Sequence, residues 1–322
     1  MLKINKNIAL KQQNTFRIGG KGQYFIQVTN KQQLQGALLW ADKQSVPFFI
    51  LGGGSNVLFP DGVYHGLIIK IANDRIKKIG KNSITVGAGM PLPELEKKFL
   101  QHNWTGIEWS NKIPGTVGGA VCGNAGAFGK EMKNLVKMVI AINPHTLEEK
   151  NYSLSQCKFS YRKSIFKTNH EIILEVVLKT KKGKKKLIQR KRQTYQEYKV
   201  IKQHLFEYPS AGSVFKNILI KNTPYAKSYH KYPGSIEGYL LIKGKKVLIK
   251  GGKLSTGWLI EECGLKGVKK GDAMVSEFHA NVIVNLGKAK AKDVLYLIDL
   301  CKEKVWKKFT INLEEEIIVI HY

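Results

Sequence analysis

Residues Pro47-Phe48-Phe49-Ile50-Leu51 run without a break into Gly52-Gly53-Gly54-Ser55-Asn56. A short apolar run closed by glycine predicts a buried strand that ends in a turn. Three glycines in succession reach positive φ at little cost and let several N–H groups converge. Such a concavity suits the oxygens of a pyrophosphate. A plain tight turn is the alternative, but it does not need three glycines followed by Ser-Asn. The run is not a dinucleotide fingerprint of the G-x-G-x-x-G type, and no Walker loop occurs anywhere in the chain.

A second stretch, residues 111–129, is equally unusual. It contains Ile113-Pro114-Gly115-Thr116-Val117-Gly118-Gly119-Ala120 and Gly123-Asn124-Ala125-Gly126-Ala127. Its density of small residues is too high for a core element and too patterned for a linker. Small residues let a flat or extended ligand lie against the backbone. Close packing of two strands would demand the same composition.

Around these two stretches the periodicity alternates. Residues 24–28 read as a strand, 31–43 as a helix with Leu34, Leu38 and Leu39 on one face, and 66–70 as another strand. That order is a βαβ-type start. Residues 84–86 predict a strand entering a turn, 91–101 a helix with proline at its start, and 138–142 and 172–179 two further strands. The basic run 179–192 reads as a solvated turn and helix start, with a phosphate-binding patch as the other possibility. Further on, 256–262 predicts a helix closed by Gly264, 281–285 a strand, and 291–309 an amphipathic helix with Val294, Leu297, Ile298 and Val305 on one side. Residues 311–320 read as a terminal strand, and 218–250 as an insertion.

The 322 residues suggest about two domains. The net charge of +29 invites a nucleic-acid reading, but 48 of the 53 basic residues are lysine and only Arg17, Arg75, Arg162, Arg190 and Arg192 are arginine. A reader of bases and phosphates leans on arginine forks, so the lysines read as surface composition and no nucleic-acid partner is expected. No apolar run approaches the ~20 residues of a membrane helix, and the N-terminal residues have no signal-peptide pattern. Cys122, Cys157, Cys263 and Cys301 form no C-x-x-C pair, so no metal site is expected and a reduced cytoplasm is.

With Asn14-Thr15-Phe16-Arg17-Ile18-Gly19-Gly20 in front, the two glycine motifs resemble an FAD-binding domain of the vanillyl-alcohol-oxidase type. In detail the chain resembles the UDP-N-acetylenolpyruvoylglucosamine reductases. The likeness continues through Phe159-Ser160-Tyr161-Arg162, residues 210–217, Gly257-Trp258-Leu259-Ile260-Glu261, residues 276–281 and Leu313-Glu314-Glu315-Glu316-Ile317, in the family's order over most of the chain. The resemblance implies an α+β fold. Residues 1–182 would form the FAD-binding domain, in lobes of about 1–70 and 71–182. Residues 183–202 would connect it to a substrate domain at 203–322.

The same resemblance implies a reaction. An enolpyruvyl ether of UDP-N-acetylglucosamine is reduced at the expense of NADPH, with FAD as the hydride carrier. Ser213 matches the family's proton donor, and Arg162 with Glu316 the pair that stabilises the enolate. Taken alone, Ser213 reads as a turn residue, Arg162 as half of a surface ion pair and Glu316 as one of three solvated acids. Gly52, Gly53, Gly54, Ser55, Asn56, Pro114, Gly115, Thr116, Gly118, Gly119, Asn124 and Gly126 would hold FAD. Tyr161, Lys216, Asn217 and His279 would contact substrate. A cytoplasmic monomer is expected. The chain departs from the family's pattern at Lys112, at Ile218 and in the insertion that follows. Another flavin oxidoreductase on the same domain would account for the glycine motifs, but not for Ser213, Arg162 and Glu316 together.

Overall fold

A computed structural model describes residues 2–321 apart from 203–206, 234 and 236. The expected domain boundary at 203 lies outside the described residues. The N-terminal sheet contains β1 (Asn5–Ala9), β2 (Lys21–Val28), β3 (Phe48–Leu51) and, beyond the short β4 (Val57–Leu58), β5 (Val63–Ile71). Its order is β1-β2-β5-β3, with β5 parallel to both neighbours and β1 antiparallel. The parallel pairs follow from the crossover helix α1 (Lys31–Lys43), whose first turn is capped by Asn30 accepting from Gln33 N–H. Both faces of the sheet are covered. Ile26, Val28, Leu67 and Ile69 enter the large core, while Phe25, Leu51 and Ile68 join Leu10, Phe59 and Ile320 on the other face.

Two expectations change here. Leu39 is 57% exposed, and α1 buries Leu34, Ala37, Leu38 and Ala41 instead. The i, i+3, i+4, i+7 stripe falls on those four, and Leu39 lies about 100° round the helix from Leu38, off that stripe. β3 is an edge strand, so of its four residues only Leu51 is buried.

The second sheet is antiparallel, in the order β11-β10-β12-β7-β6. It is built from β6 (Ile76–Gly80), β7 (Ser83–Gly87), β10 (Val136–Ile142), β11 (Glu149–Ser153) and β12 (Ile172–Lys179), with a small hairpin of β8 (Gly126–Ala127) and β9 (Lys130–Glu131) beside it. Helix α2 (Leu92–Gln101) and the first sheet share its core. The glycine-rich stretch contains a core element after all. Helix α3 (Val117–Cys122) starts at Thr116, whose hydroxyl accepts from Gly119 N–H, and it buries Val117 and Val121 completely. The paired valines supply the apolar anchor, and Gly118 lets the helix approach Ala88: a Cβ there would lie 2.8 Å from the Ala88 Cβ.

The basic run forms helix α4 (Lys185–Glu197), which packs on α2 and on the 108–110 turn and runs into a π-turn, Tyr198–Lys202. The C-terminal unit has a separate core. β13 (Ser210–Ser213), the pair β14 (Ile218–Leu219) and β18 (Lys253–Leu254), the meander β15 (Tyr229–Lys231), β16 (Gly238–Ile242) and β17 (Lys245–Ile249), and the strands β19 (Lys269–Lys270), β20 (Ala273–Val275) and β21 (Val282–Asn285) surround helices α5 (Thr256–Glu262) and α6 (Ala291–Phe309). Val294, Leu297, Ile298 and Val305 of α6 are all buried. The expected terminal strand is reduced to β22 (Ile318–Val319), paired parallel with β4 near the N-terminal sheet. Residues 314–316 are instead held against the segment after β13, so they do not extend that strand.

Candidate active site

The two glycine motifs touch. A Cβ on Gly53 would lie 2.7 Å from the Gly115 Cα, and one on Gly115, at φ +112°, would lie 2.7 Å from Ser55 Oγ. Ser55 Oγ in turn donates to the Pro114 carbonyl at 3.3 Å. Gly54 sits at φ +65° with the Gln13 carbonyl 2.1 Å from where its Cβ would be. Several of these glycines are therefore required by mutual approach of backbones, as close packing would have it.

The loops still offer donors. Among the described residues, no backbone N–H of Gly52, Gly53, Gly54, Ser55, Asn56, Gly115 or Thr116 has a partner. In the segment leading into the second loop, Trp109 Nε1 and Ser110 Oγ are buried without one. A group rich in acceptor atoms, such as FAD, fits this set of donors.

Asn14 and Thr15 tie the loop to the rest. Thr15 N–H donates to the Gly54 carbonyl at 3.0 Å, and Thr15 Oγ1 donates to the Ser210 carbonyl at 2.8 Å. Asn14 Nδ2 donates to the Leu10 and Ile18 carbonyls, closing that turn. The glycine turn and the start of β13 are thus one construction.

β13 then delivers Ser213. The next residues pair antiparallel with the C-terminal segment: Lys216 N–H donates to the Glu314 carbonyl at 2.9 Å, Phe215 faces Glu315, and Glu316 N–H donates to the Val214 carbonyl at 2.7 Å. This register sets Glu316 beside the residue following Ser213. The Ser213 hydroxyl has no hydrogen-bond partner among the described residues. Asn281, buried, locks the turn from below: its Oδ1 accepts from Phe215 N–H at 3.0 Å and its Nδ2 donates to the Phe215 carbonyl at 2.8 Å.

Arg162 comes from the other half of the molecule, at φ +55°. Its Nε lies 2.6 Å from Glu316 Oε1, and its Nη1 donates to the Gly126 carbonyl at 3.2 Å. Burial pushes the Glu316 carboxyl up, and Arg162, Lys167 and Lys216 pull it back down. Tyr161 lies under two cations, with Arg162 5.4 Å and Lys253 4.8 Å from its ring centre. Its hydroxyl accepts from Asn217 N–H at 3.0 Å.

Six residues anticipated from sequence therefore meet: Ser213, Arg162, Glu316, Tyr161, Lys216 and Asn217. Lys216 is ion-paired with Glu314, and Asn217 Oδ1 accepts from Thr256 N–H at 3.1 Å. His279 stands against the start of α5, and its Nδ1 accepts from Asn281 N–H at 3.3 Å. Asn124 is fully buried with every side-chain atom in use: its amide donates to Glu131 and to the Ser160 carbonyl, and its Oδ1 accepts from Lys133 N–H. Gly119 is exposed and open, with nothing nearer than Thr116 Oγ1 at 3.6 Å. Sequence reasoning passed over Thr15, Asn281 and Lys167, because each acts through partners far away in the chain. Among the described residues no cluster suits a metal ion and no helix is long and apolar enough to cross a membrane.

An FAD-binding fold joined to a separate unit that supplies an acid and a hydroxyl defines a flavin-dependent oxidoreductase. Residues 22–144 match the FAD binding domain, and residues 203–320 match the UDP-N-acetylenolpyruvoylglucosamine reductase C-terminal domain. A UDP-N-acetylenolpyruvoylglucosamine reductase from Carboxydothermus hydrogenoformans is 37% identical, covering 98% of this chain and 94% of that protein. One from Clostridioides difficile is 34% identical over 97% of this chain and 91% of its own. The crystal structure of the Thermus caldophilus reductase aligns over all of both chains with a TM-score of 0.76 and 30% identity. The chain belongs to the UDP-N-acetylenolpyruvoylglucosamine reductase family.

Proposed function

We infer that this chain reduces UDP-N-acetylglucosamine enolpyruvate to UDP-N-acetylmuramate with NADPH, in peptidoglycan precursor synthesis. The observation that carries the reading is the register of residues 214–216 against 314–316, which sets Glu316 against Val214, the residue after Ser213, where Arg162 pairs with Glu316. FAD, when bound, supplies the hydride chemistry.

The protein's residues manage charge and the proton. Hydride arrives at the methylene carbon of the enolpyruvyl group, so the neighbouring carbon, next to the carboxylate, becomes enolate-like and must take a proton. Ser213 Oγ is the proposed donor. A serine hydroxyl is a weak acid, but an enolate is a strong enough base to accept from it. Arg162 offers a planar cation to the substrate carboxylate. Glu316 in its protonated form donates to the developing negative charge. That role is supported by its burial, which favours the neutral acid. Lys216, Asn217 and Tyr161 border the same space and are proposed to orient the anionic substrate. His279 is proposed to act on substrate through the 276–281 loop.

The free backbone donors of Gly52–Asn56, Gly115 and Thr116 are proposed to hold FAD, with Pro114, Gly118 and Gly119 lining the same site. Asn124 and Gly126 would shape that site from behind. The proposal places the enzyme in the cytoplasm as a monomer, and the four free thiols agree with a reducing compartment. The testing experiment is a flavin bleaching assay. Purified protein should be yellow, should bleach with NADPH and should regain colour on adding the enolpyruvyl sugar nucleotide. Colour restored only by oxygen, and at the same rate with or without the sugar nucleotide, would favour a different flavin oxidoreductase.

A further inference from the structure

Lys199 is a cation in an unexpected place. It follows α4, in the π-turn, and only 4% of it is exposed. Its Nζ donates to the Trp109 carbonyl at 2.8 Å and to the Asn111 carbonyl at 2.6 Å. Those carbonyls belong to the segment that leads directly into the Ile113–Gly119 loop. The same stretch of chain makes further contacts there. Asn111 Nδ2 donates to Gln196 Oε1 at 3.2 Å and to the Arg192 carbonyl at 3.4 Å. At the far end of the glycine stretch, Phe128 stacks on Tyr195 at 4.4 Å and meets the Tyr198 ring edge-on at 5.4 Å. Lys199 itself lies 5.6 Å from the Phe128 ring centre. Both ends of the glycine-rich stretch are therefore held by residues 192–199.

We propose that Lys199 is a positioning residue for the flavin cofactor: by holding the Trp109 and Asn111 carbonyls it sets the approach of the 113–119 loop. The inference rests on the FAD reading given above. Desolvation of a lysine is costly, and here burial lowers the ammonium to about 8. The neighbours that face it are known. Glu96 of α2 raises it, and Glu96 is itself 2.8 Å from Arg192 of α4 and within reach of Glu108. A plain structural role would be served by a neutral donor without that desolvation. The charged ammonium holds the Trp109 and Asn111 carbonyls more strongly than a neutral amine would, so by linkage FAD binds more tightly below the ammonium's pKa than above it.

The test is reconstitution of apoprotein with FAD, followed by flavin fluorescence from about pH 6 to about pH 10. Wild-type affinity should fall by about tenfold through a step near 8. Lys199→Met should bind FAD about tenfold more weakly at neutral pH and lack the step. Lys199→Arg should keep the neutral-pH affinity and also lack the step, because a guanidinium does not titrate there. Wild-type affinity in Lys199→Met, or the same step retained in Lys199→Arg, overturns the proposal. If the Met variant does not fold, as judged by circular dichroism, the Arg variant decides alone. A wild-type chain that takes up no FAD overturns the functional reading as well, whereas a flavoprotein whose Arg variant keeps the step overturns only this one.

Discussion

Asn56, at the end of the glycine turn, donates its side-chain amide to the Glu316 carbonyl at 2.9 Å across 260 residues of sequence. Ile318 N–H returns the contact by donating to the Asn56 carbonyl at 2.9 Å. The loop proposed to hold the cofactor therefore also places the acid proposed to act on the substrate. Asn56→Ala should leave NADPH bleaching of the flavin nearly intact but slow reoxidation by substrate about tenfold, the cost of about one buried hydrogen bond. Stopped-flow measurement of the two half-reactions separates these effects. Equal slowing of both would mean that Asn56 acts on the cofactor and not through Glu316.

Ser213→Ala should divide the reaction in the same way, more sharply. Flavin reduction by NADPH should proceed at the wild-type rate, and turnover should fall by about 10²- to 10⁴-fold, the range for a lost general acid. A variant with wild-type turnover would falsify the proton-donor assignment.

The Glu316 carboxyl is held above the ordinary carboxylate range of about 4.3 by its burial. Activity that needs the protonated form is retained at low pH and lost as pH rises through that raised pKa. Lys167 is among the cations that pull it down, so Lys167→Met should move the basic limb of the kcat profile to higher pH. The folding linkage has the same sign. A raised folded-state pKa contributes stability that is present below the unfolded value and lost as pH rises through the folded one. Glu316→Gln should therefore gain on wild type in urea denaturation as pH rises from acid to neutral. A limb that stays in place in Lys167→Met would show that some other group sets it.

Gly53→Ala tests the contact between the two glycine motifs. Its new methyl would lie 2.7 Å from the Gly115 Cα, a backbone atom with no freedom to rotate away. The expected outcome is a folded chain purified without flavin, with FAD affinity at least about tenfold lower. Circular dichroism and the flavin absorbance ratio are enough to see it. Holoprotein of normal colour would mean that the loops can separate without cost.

Asn281→Ala should be chiefly a stability variant. It leaves both Phe215 backbone groups without their partners in a buried place, at about 1–3 kcal/mol each. A shift of a few kcal/mol in urea denaturation, with impaired turnover because the Ser213 turn loosens, is expected. Unchanged stability would mean that water replaces the amide.

Much of this was legible in the chain. Helix α1, helix α5, helix α6 and strand β12 coincide with their apolar periodicity, because a stripe of one period fits only one kind of element. The glycine turn was legible in its local motif, whereas the roles proposed for Ser213, Arg162 and Glu316 followed from the family resemblance and not from their neighbours in the chain. The burial of Leu39 and of β3 was misread, since periodicity does not reveal which neighbour covers a face. Helix α3 was hidden because Gly118 answers to the packing of Ala88 rather than to helix propensity.

By itself the sequence determined which residues have the chemistry: a hydroxyl at Ser213, a carboxyl at Glu316, a guanidinium at Arg162 and turns that only glycine tolerates. Side-chain chemistry and backbone freedom are local properties, and they can be read locally. The tertiary structure alone decided that Glu316, and not Glu314 or Glu315, faces Arg162. It does so through the pairing of 214–216 with 314–316 and the Asn56 amide. Glu314 pairs with Lys216 and Glu315 with Lys302. It also decided that Lys199, one of 48 lysines, is buried against the Trp109 and Asn111 carbonyls. Burial is a property of what packs around a residue, and that comes from segments far away in the chain.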